Sequence, residues 1–444
     1  MAVSPDSTAF HPGYVLQILL PFRMPRFQSL PDWLDWQQGL HPKKIDLGLE
    51  RVAGVAGRMG IMQPEQTVIT VAGTNGKGSS VALLESILSA AGYRVGAYTS
   101  PHLFRYNERI RINGQAVDDD ALCEAFAAVD AARATTTLSY FEFGTLAALY
   151  LFRQAPLDIV VLEVGLGGRL DAVNIIDPAI SLVTSIGIDH RAWLGDNREL
   201  IGREKAGIFR TQRPAICSDP IPPASLEKYA HEIKADWYSL GQAYSFKPDR
   251  SGWTWQGGSS IHELLPCPSL PGEHQLENAA GVLMVLELLH GRHPVSRAAI
   301  EQGLQSASLP GRCQIVAGPV EQIFDVSHNT DSAACLARLL EGRPCEGHTR
   351  VVLGMLDDKQ AGEFARRLAA VVDDWYIAGL DVERGLSAQV LQARLETAGF
   401  TASHRVFPDV AAAWREAHMD SEEGDRIVVC GSFFTVAEAM ACPV

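Results

Sequence analysis

The sequence predicts an α/β fold in two domains, and three observations carry that expectation. A glycine-rich loop separates a strand-like run from a helical pattern within residues 67–91. Other apolar, β-branched runs alternate with helical stretches, as in a mostly parallel sheet covered on both faces. Leu309-Pro310-Gly311-Arg312 then punctuates the chain, and a second strand and helix alternation follows.

Length and composition agree. At 444 residues the chain exceeds the usual size of one domain, and the expected division is 24–308 and 309–444. A content of 47% hydrophobic and 20% charged residues is that of a soluble globular protein, and a net charge of −14 argues against a nucleic-acid or anionic-membrane surface. Eight cysteines form no CxxC pair and no zinc-type spacing, which suits a reducing cytoplasm. Tyr14 to Phe22 is apolar but too short to span a bilayer and has no basic segment before it. Residues 1–23 therefore read as a poorly ordered extension, with Met24 opening a sequence of its own sense.

In chain order, Ser29 to Gln63 is helical in pattern, broken at His41-Pro42 and joined through Lys43 to Leu49. Val68 to Ala72 is a buried strand, and Gly73 to Ser79 (GTNGKGS) leads into a helix with Val81, Leu84 and Leu88 on one face. Arg94 to Thr99 is a second strand, ending at Ser100; 118–133 and 141–153 are helices. Ile159 to Val164 and Ile180 to Ile186 are buried strands, the first carrying Glu163 near its end and the second leading to His190. Residues 199–210 form a short helix, and 236–270, with Trp237, Trp253 and Trp255, reads as antiparallel strands. Beyond the punctuation, 322–326, 350–353, 374–377 and 426–430 are strand-like.

The loop carries the chemistry. Its glycines turn backbone N–H groups toward an oxyanion, the helix N-terminus adds partial positive charge, and Lys77 supplies a full one. Val71 stands where the common P-loop has its first glycine, so this is a compact variant of a phosphate cradle. Magnesium bound with nucleotide needs few protein oxygens, and Ser100 and Glu163 can supply a hydroxyl and a carboxylate. Gly165 to Gly168 misses the dinucleotide-binding spacing, because Leu170 occupies the third small position, so an NAD site is rejected. Lys205 reads by default as an exposed helix lysine.

GTNGKGS, TSPHL, FEFGT, LEVGLGGRLDAVN, IGIDH and GREKAGIF, together with KKIDLGLERV, GEHQLENA, LPGRCQ, DVSHN and LGMLDDK, resemble the bacterial folate ligases of the Mur-ligase superfamily across about residues 24–442. The resemblance implies an N-terminal P-loop ATPase domain and a C-terminal Rossmann-like domain with the active site between them. It implies ATP-dependent ligation of L-glutamate to dihydropteroate, and to the γ-carboxylate of folates such as tetrahydrofolate, through an acyl phosphate. By position, Thr74, Asn75, Gly76 and Lys77 resemble the triphosphate loop, and Ser100, Glu163 and His190 the ligands of magnesium, expected as two ions. Lys205 resembles a lysine that is carbamylated in the superfamily. Asn278 resembles the adenine contact, Arg312 a phosphate contact at the hinge, and Asp325 and His328 contacts to ATP. Lys44, Ile45 and Asp46, Ser139, Tyr140, Phe141 and Glu142, and Leu170, Asp171 and Ala172 resemble the segments lining a pterin site. A monomer is the family expectation.

Some positions depart from the family pattern. Phe434 replaces a histidine, and DVSHNTDS replaces DVAHNPHA. Two rivals share the loop: a ligase extending a UDP-muramoyl peptide, disfavoured by GKGS and by TSPHL and FEFGT, and a nucleotide switch, which leaves Glu163, His190, Lys205 and Arg312 without roles.

Overall fold

The computed structural model describes residues 25–443, so the expectation for residues 1–23 lies outside the described residues. Eight strands form the first sheet: Thr67–Ala72 (β1), Val95–Tyr98 (β2), Ile110–Ile112 (β3), Gln115–Ala116 (β4), Ile159–Glu163 (β5), Ile180–Val183 (β6), Pro214–Cys217 (β7) and Asp236–Ser239 (β8). Their spatial order is β4-β3-β2-β5-β1-β6-β7-β8. From β2 to β8 all pairings are parallel, while β3 and β4 pair antiparallel at one edge.

That order decides where chemistry collects. The four central neighbours are β2, β5, β1 and β6, and each delivers one predicted polar group at its carboxyl end: Ser100, Glu163, the Lys77 loop and His190. In an open parallel sheet those ends open onto the ligand crevice. One face of the sheet is covered by helices Leu30–Gln38, Asp119–Arg133 and Tyr140–Gln154 around Trp33, Phe126 and Phe143. The other is covered by Lys77–Ala90 and His274–Leu289.

Three details differ from expectation. Within residues 236–270 only Tyr244–Asp249 (β9), Gly252–Gly257 (β10) and Ser260–Leu265 (β11) are antiparallel; β8 extends the main sheet in parallel. Helix Ala224–Glu232 precedes β8 as a crossover, and such a connection delivers a parallel strand. The β3–β4 hairpin was not expected, although its Asn113-Gly114 turn, at φ 53° and 78°, is a strong hairpin signal. Lys205 is also buried in helix Arg198–Ala206 rather than exposed.

The chain leaves helix Arg297–Ser306, passes Leu309 to Cys313 and enters a second sheet. Its strands are Gln314–Val316 (β12), Glu321–Phe324 (β13), Thr349–Leu353 (β14), Asp374–Ala378 (β15), His404–Phe407 (β16) and Arg426–Cys430 (β17). The order is β12-β13-β17-β14-β15-β16, antiparallel only at β12. The edge strands β12 and β16 escaped the sequence reading because one has three residues and the other is half polar. Among the described residues no helix is long and apolar enough to cross a membrane.

Candidate active site

A cavity of about 510 Å³ lies between the two sheets' carboxyl ends. It joins the glycine loop to Phe141 and Asp171 and is closed from the second domain by His328, Lys359 and Ser432.

The loop is fixed from both sides. Thr74 donates its hydroxyl to the Gly187 carbonyl at 3.0 Å, and Thr184 donates to the Asn75 carbonyl at 2.7 Å. Asn75 and Asn329 exchange amide hydrogen bonds, at 3.3 Å and 2.9 Å, so the loop also touches the second domain. Gly76 has φ 89°, and a Cβ there would lie 2.3 Å from Asn278 Oδ1; only glycine fits. Lys77 folds back to donate to the carbonyls of Gly73 and Thr74, at 3.1 and 3.2 Å. Burial lowers its pKa, while Glu163 opposes that effect.

Glu163 is buried at the end of β5 and accepts the Ser100 N–H at 3.2 Å. Burial raises its pKa, and Lys77 and Arg312 pull it down. His190 sits at φ 50°, with its pKa lowered to about 4 by burial against the opposing pull of Asp189. A hydroxyl, a buried carboxyl and a neutral imidazole facing one cavity form a donor set that fits a divalent cation. Lys205, also buried, donates its amine to the Gly73 carbonyl at 2.7 Å. Desolvation, aided by Lys77, lowers its pKa to about 7.

The opposite end has different chemistry. Phe141 covers Gly165, where a Cβ would approach its ring to 2.5 Å, and lies 5.9 Å from the Tyr98 ring. Asp171 caps the short helix Ala172–Ile175 and accepts the N–H groups of Leu166 and Val173 at 2.8 and 3.1 Å. Burial nevertheless pushes its pKa up to about 7. Ser139 and Glu142 form a capping box at the start of helix Tyr140–Gln154. Arg51 ties Glu142 to Asp46, at 3.0 and 2.7 Å.

Most of the predicted residues line this one cavity, including Lys44, Ile45, Ser139, Leu170, Ala172, Arg312 and His328. Tyr140, Lys205, Asn278 and Asp325 stand outside its wall. Tyr140 lies beneath the Arg109 guanidinium, 5.7 Å from ring centre to charge. Asn278 donates to Gln275 at 2.9 Å behind the loop. Asp325 braces the hinge, accepting the N–H groups of Cys313 and Ser327 at 2.7 and 2.8 Å. The sequence reading gave no role to Asp189, Lys359 or Arg51. Lys359 of the second domain donates to Asp189 at 2.7 Å, and His328 lies 3.4 Å from the same carboxyl. Burial disfavours the Asp189 carboxylate, yet these partners hold its pKa well below the usual range. The IGIDH and LGMLDDK motifs contained both members, but not their meeting.

A glycine loop on a parallel sheet, a hinge and a second Rossmann-like body define an ATP-dependent ligase of the Mur type. Residues 71–286 match the Mur ligase middle domain, and 311–433 the Mur ligase glutamate ligase domain. The dihydrofolate synthase/folylpolyglutamate synthase of Escherichia coli K12 is 46% identical over 94% of this chain and 96% of its own length. That of Haemophilus influenzae is 40% identical, covering 93% and 97%. The E. coli FolC structure in complex with DHPP and ADP superposes with a TM-score of 0.88 at 46% identity, covering 93% of this chain and 97% of that one. A bifunctional folylpolyglutamate synthase/dihydrofolate synthase with Mn, AMPPNP and L-glutamate bound gives 0.86 at 46% identity, covering 93% and 98%. The chain belongs to the dihydrofolate synthase/folylpolyglutamate synthase family of the Mur ligases.

Proposed function

We propose that this chain ligates L-glutamate to dihydropteroate, forming dihydrofolate, and to the γ-carboxylate of folates such as tetrahydrofolate. The observation that carries the reading is the single cavity joining the Lys77 loop to Phe141 and Asp171. A flat aromatic acceptor can stack on Phe141 and donate ring N–H groups to Asp171, placing its far carboxylate toward the loop. There it takes the γ-phosphoryl group of ATP, giving an acyl phosphate and ADP. The amine of glutamate attacks the acyl carbon, the C–O bond to phosphate breaks, and the amine proton passes to solvent as the amide forms.

Each residue has a share in this. Lys77 and the loop N–H groups stabilise charge on the transferred phosphoryl group in a site with little water. Ser100, Glu163 and His190 would hold magnesium, expected as two ions, which when bound neutralises phosphate charge. Lys205 is suited to carbamylation, because that reaction needs a neutral amine and burial brings this one to about pH 7. Arg312 and His328 supply further contacts to ATP, Asn278 the adenine contact, and Asp325 holds the hinge that presents them. Closure of the 309–444 domain on 24–308 excludes water from the acyl phosphate.

A cytoplasmic location fits eight free cysteines, three of them buried, and a monomer is what the family resemblance implies. Incubation with ATP, magnesium, labelled glutamate and either dihydropteroate or tetrahydrofolate, with products resolved by mass, tests the reading. Product from both acceptors is expected; product from a UDP-muramoyl peptide alone overturns it.

A further inference from the structure

The charged groups of the cavity divide by how firmly they are partnered. Asp46 and Glu142 share Arg51, Asp171 is held by backbone N–H groups, and Asp189 binds Lys359. The mouth is different. There Lys44 of the first domain pairs with Glu383 of the second, with side chains 64% and 62% exposed. Arg384, the next residue, lines the same cavity, and among the described residues its guanidinium meets Asp358 alone, at 3.5 Å. Its backbone is left-handed, at φ 61°, a conformation that non-glycine residues adopt rarely. The neighbouring chain maintains it: the Asp357 N–H donates to the Arg384 carbonyl at 2.8 Å, and the Gly385 N–H to that of Val382 at 2.7 Å.

We infer that Lys44 and Arg384 form a carboxylate-binding pair across the mouth of the cleft, that Glu383 holds the Lys44 half of it as an internal stand-in, and that its external ligand is a glutamyl carboxylate. An ion pair this exposed is screened and readily exchanged, so a substrate carboxylate can replace Glu383. A guanidinium fork on one domain and an ammonium on the other then engage one ligand, which favours the closed arrangement. This rests on the ligase reading above, which supplies two sources of the same group: the incoming glutamate, and the last glutamyl unit of a folate acceptor.

Arg384→Ala and Glu383→Gln test it through KM values for glutamate, dihydropteroate and tetrahydrofolate. Arg384→Ala should raise the KM of the carboxylate ligand about tenfold, as expected for loss of one charge-assisted contact. Glu383→Gln should lower the same KM about threefold, because a competing carboxylate has gone. A rise for glutamate with both acceptors assigns the pair to the incoming amino acid; a rise for tetrahydrofolate relative to dihydropteroate assigns it to the acceptor tail. If Glu383→Gln raises KM as Arg384→Ala does, the pair is a structural latch and the inference is overturned. It is equally overturned if neither variant moves any KM beyond twofold. Calorimetric binding of L-glutamate and of tetrahydrofolate to both variants repeats the comparison without turnover. A chain inert in ligation therefore overturns the ligase reading while the binding arm still decides this one.

Discussion

The two ends of the cavity solve the burial of charge in opposite ways. At the phosphate end, half-buried Lys77 stands with buried Lys205 and Glu163, and both lysines donate to the Gly73 carbonyl. At the acceptor end, Asp171 makes no ion pair among the described residues and is held by backbone N–H groups, with a pKa raised to about 7 by burial. The first end is an unfinished cation cluster that an anion completes; the second is a carboxyl able to change charge near neutrality. Under the proposed function, polyphosphate and a neutral ring system are thus separated by electrostatics before shape is considered.

The largest break in this comparison is Lys77→Ala. Under the proposed function it removes the charge that faces the transferred phosphoryl group, and kcat should fall by about 10³ with the far-UV spectrum near wild type. Because buried Glu163 loses the cation that offsets its burial and the Thr74 carbonyl loses a donor, the melting temperature should fall modestly.

Gly76→Ala should come next. A Cβ at φ 89°, 2.3 Å from Asn278 Oδ1, displaces the loop. ATP binding, measured by calorimetry, should weaken about tenfold, with a cost of about 1–3 kcal/mol in unfolding.

Asp171→Asn sharpens the acceptor end. The folded state raises this pKa from 3.8 to about 7, so it favours the protonated form. Its contribution is full below about pH 4 and is lost as pH rises through 7, at most about 4 kcal/mol. Urea midpoints of the wild type should therefore fall between pH 5 and 8 relative to those of the Asn variant, and the variant's KM for dihydropteroate should rise about tenfold.

Phe434→His is the smallest. Phe434 lines the cavity mouth but is 47% exposed, so KM for tetrahydrofolate should change by less than about threefold.

How much was legible follows the same divide. The phosphate end could be read because a strand, a glycine loop and a helix are contiguous, and the sheet order then brings Ser100, Glu163 and His190 beside them. Glu163 announced itself as a carboxyl inside an apolar strand. Lys205 did not: helical periodicity alone left it exposed, and only packing against Gly73 buries it. At the acceptor end the resemblance supplied the segments, whereas Arg51, which also holds Asp46, reaches Glu142 across 91 residues by tertiary contact. Lys359 and Asp189 are 170 residues apart, so their pairing has no local pattern. The Asn113-Gly114 hairpin could have been read from its turn residues.

The amide pair between Asn75 and Asn329 has a further consequence. One partner belongs to the loop proposed to hold the polyphosphate, and the other caps the first helix of the second domain. Hinge position is therefore transmitted to the loop through two neutral hydrogen bonds, beside the Lys359–Asp189 ion pair that joins the same two bodies. A rotation that parts the two bodies would break both hydrogen bonds, so the loop would lose this support.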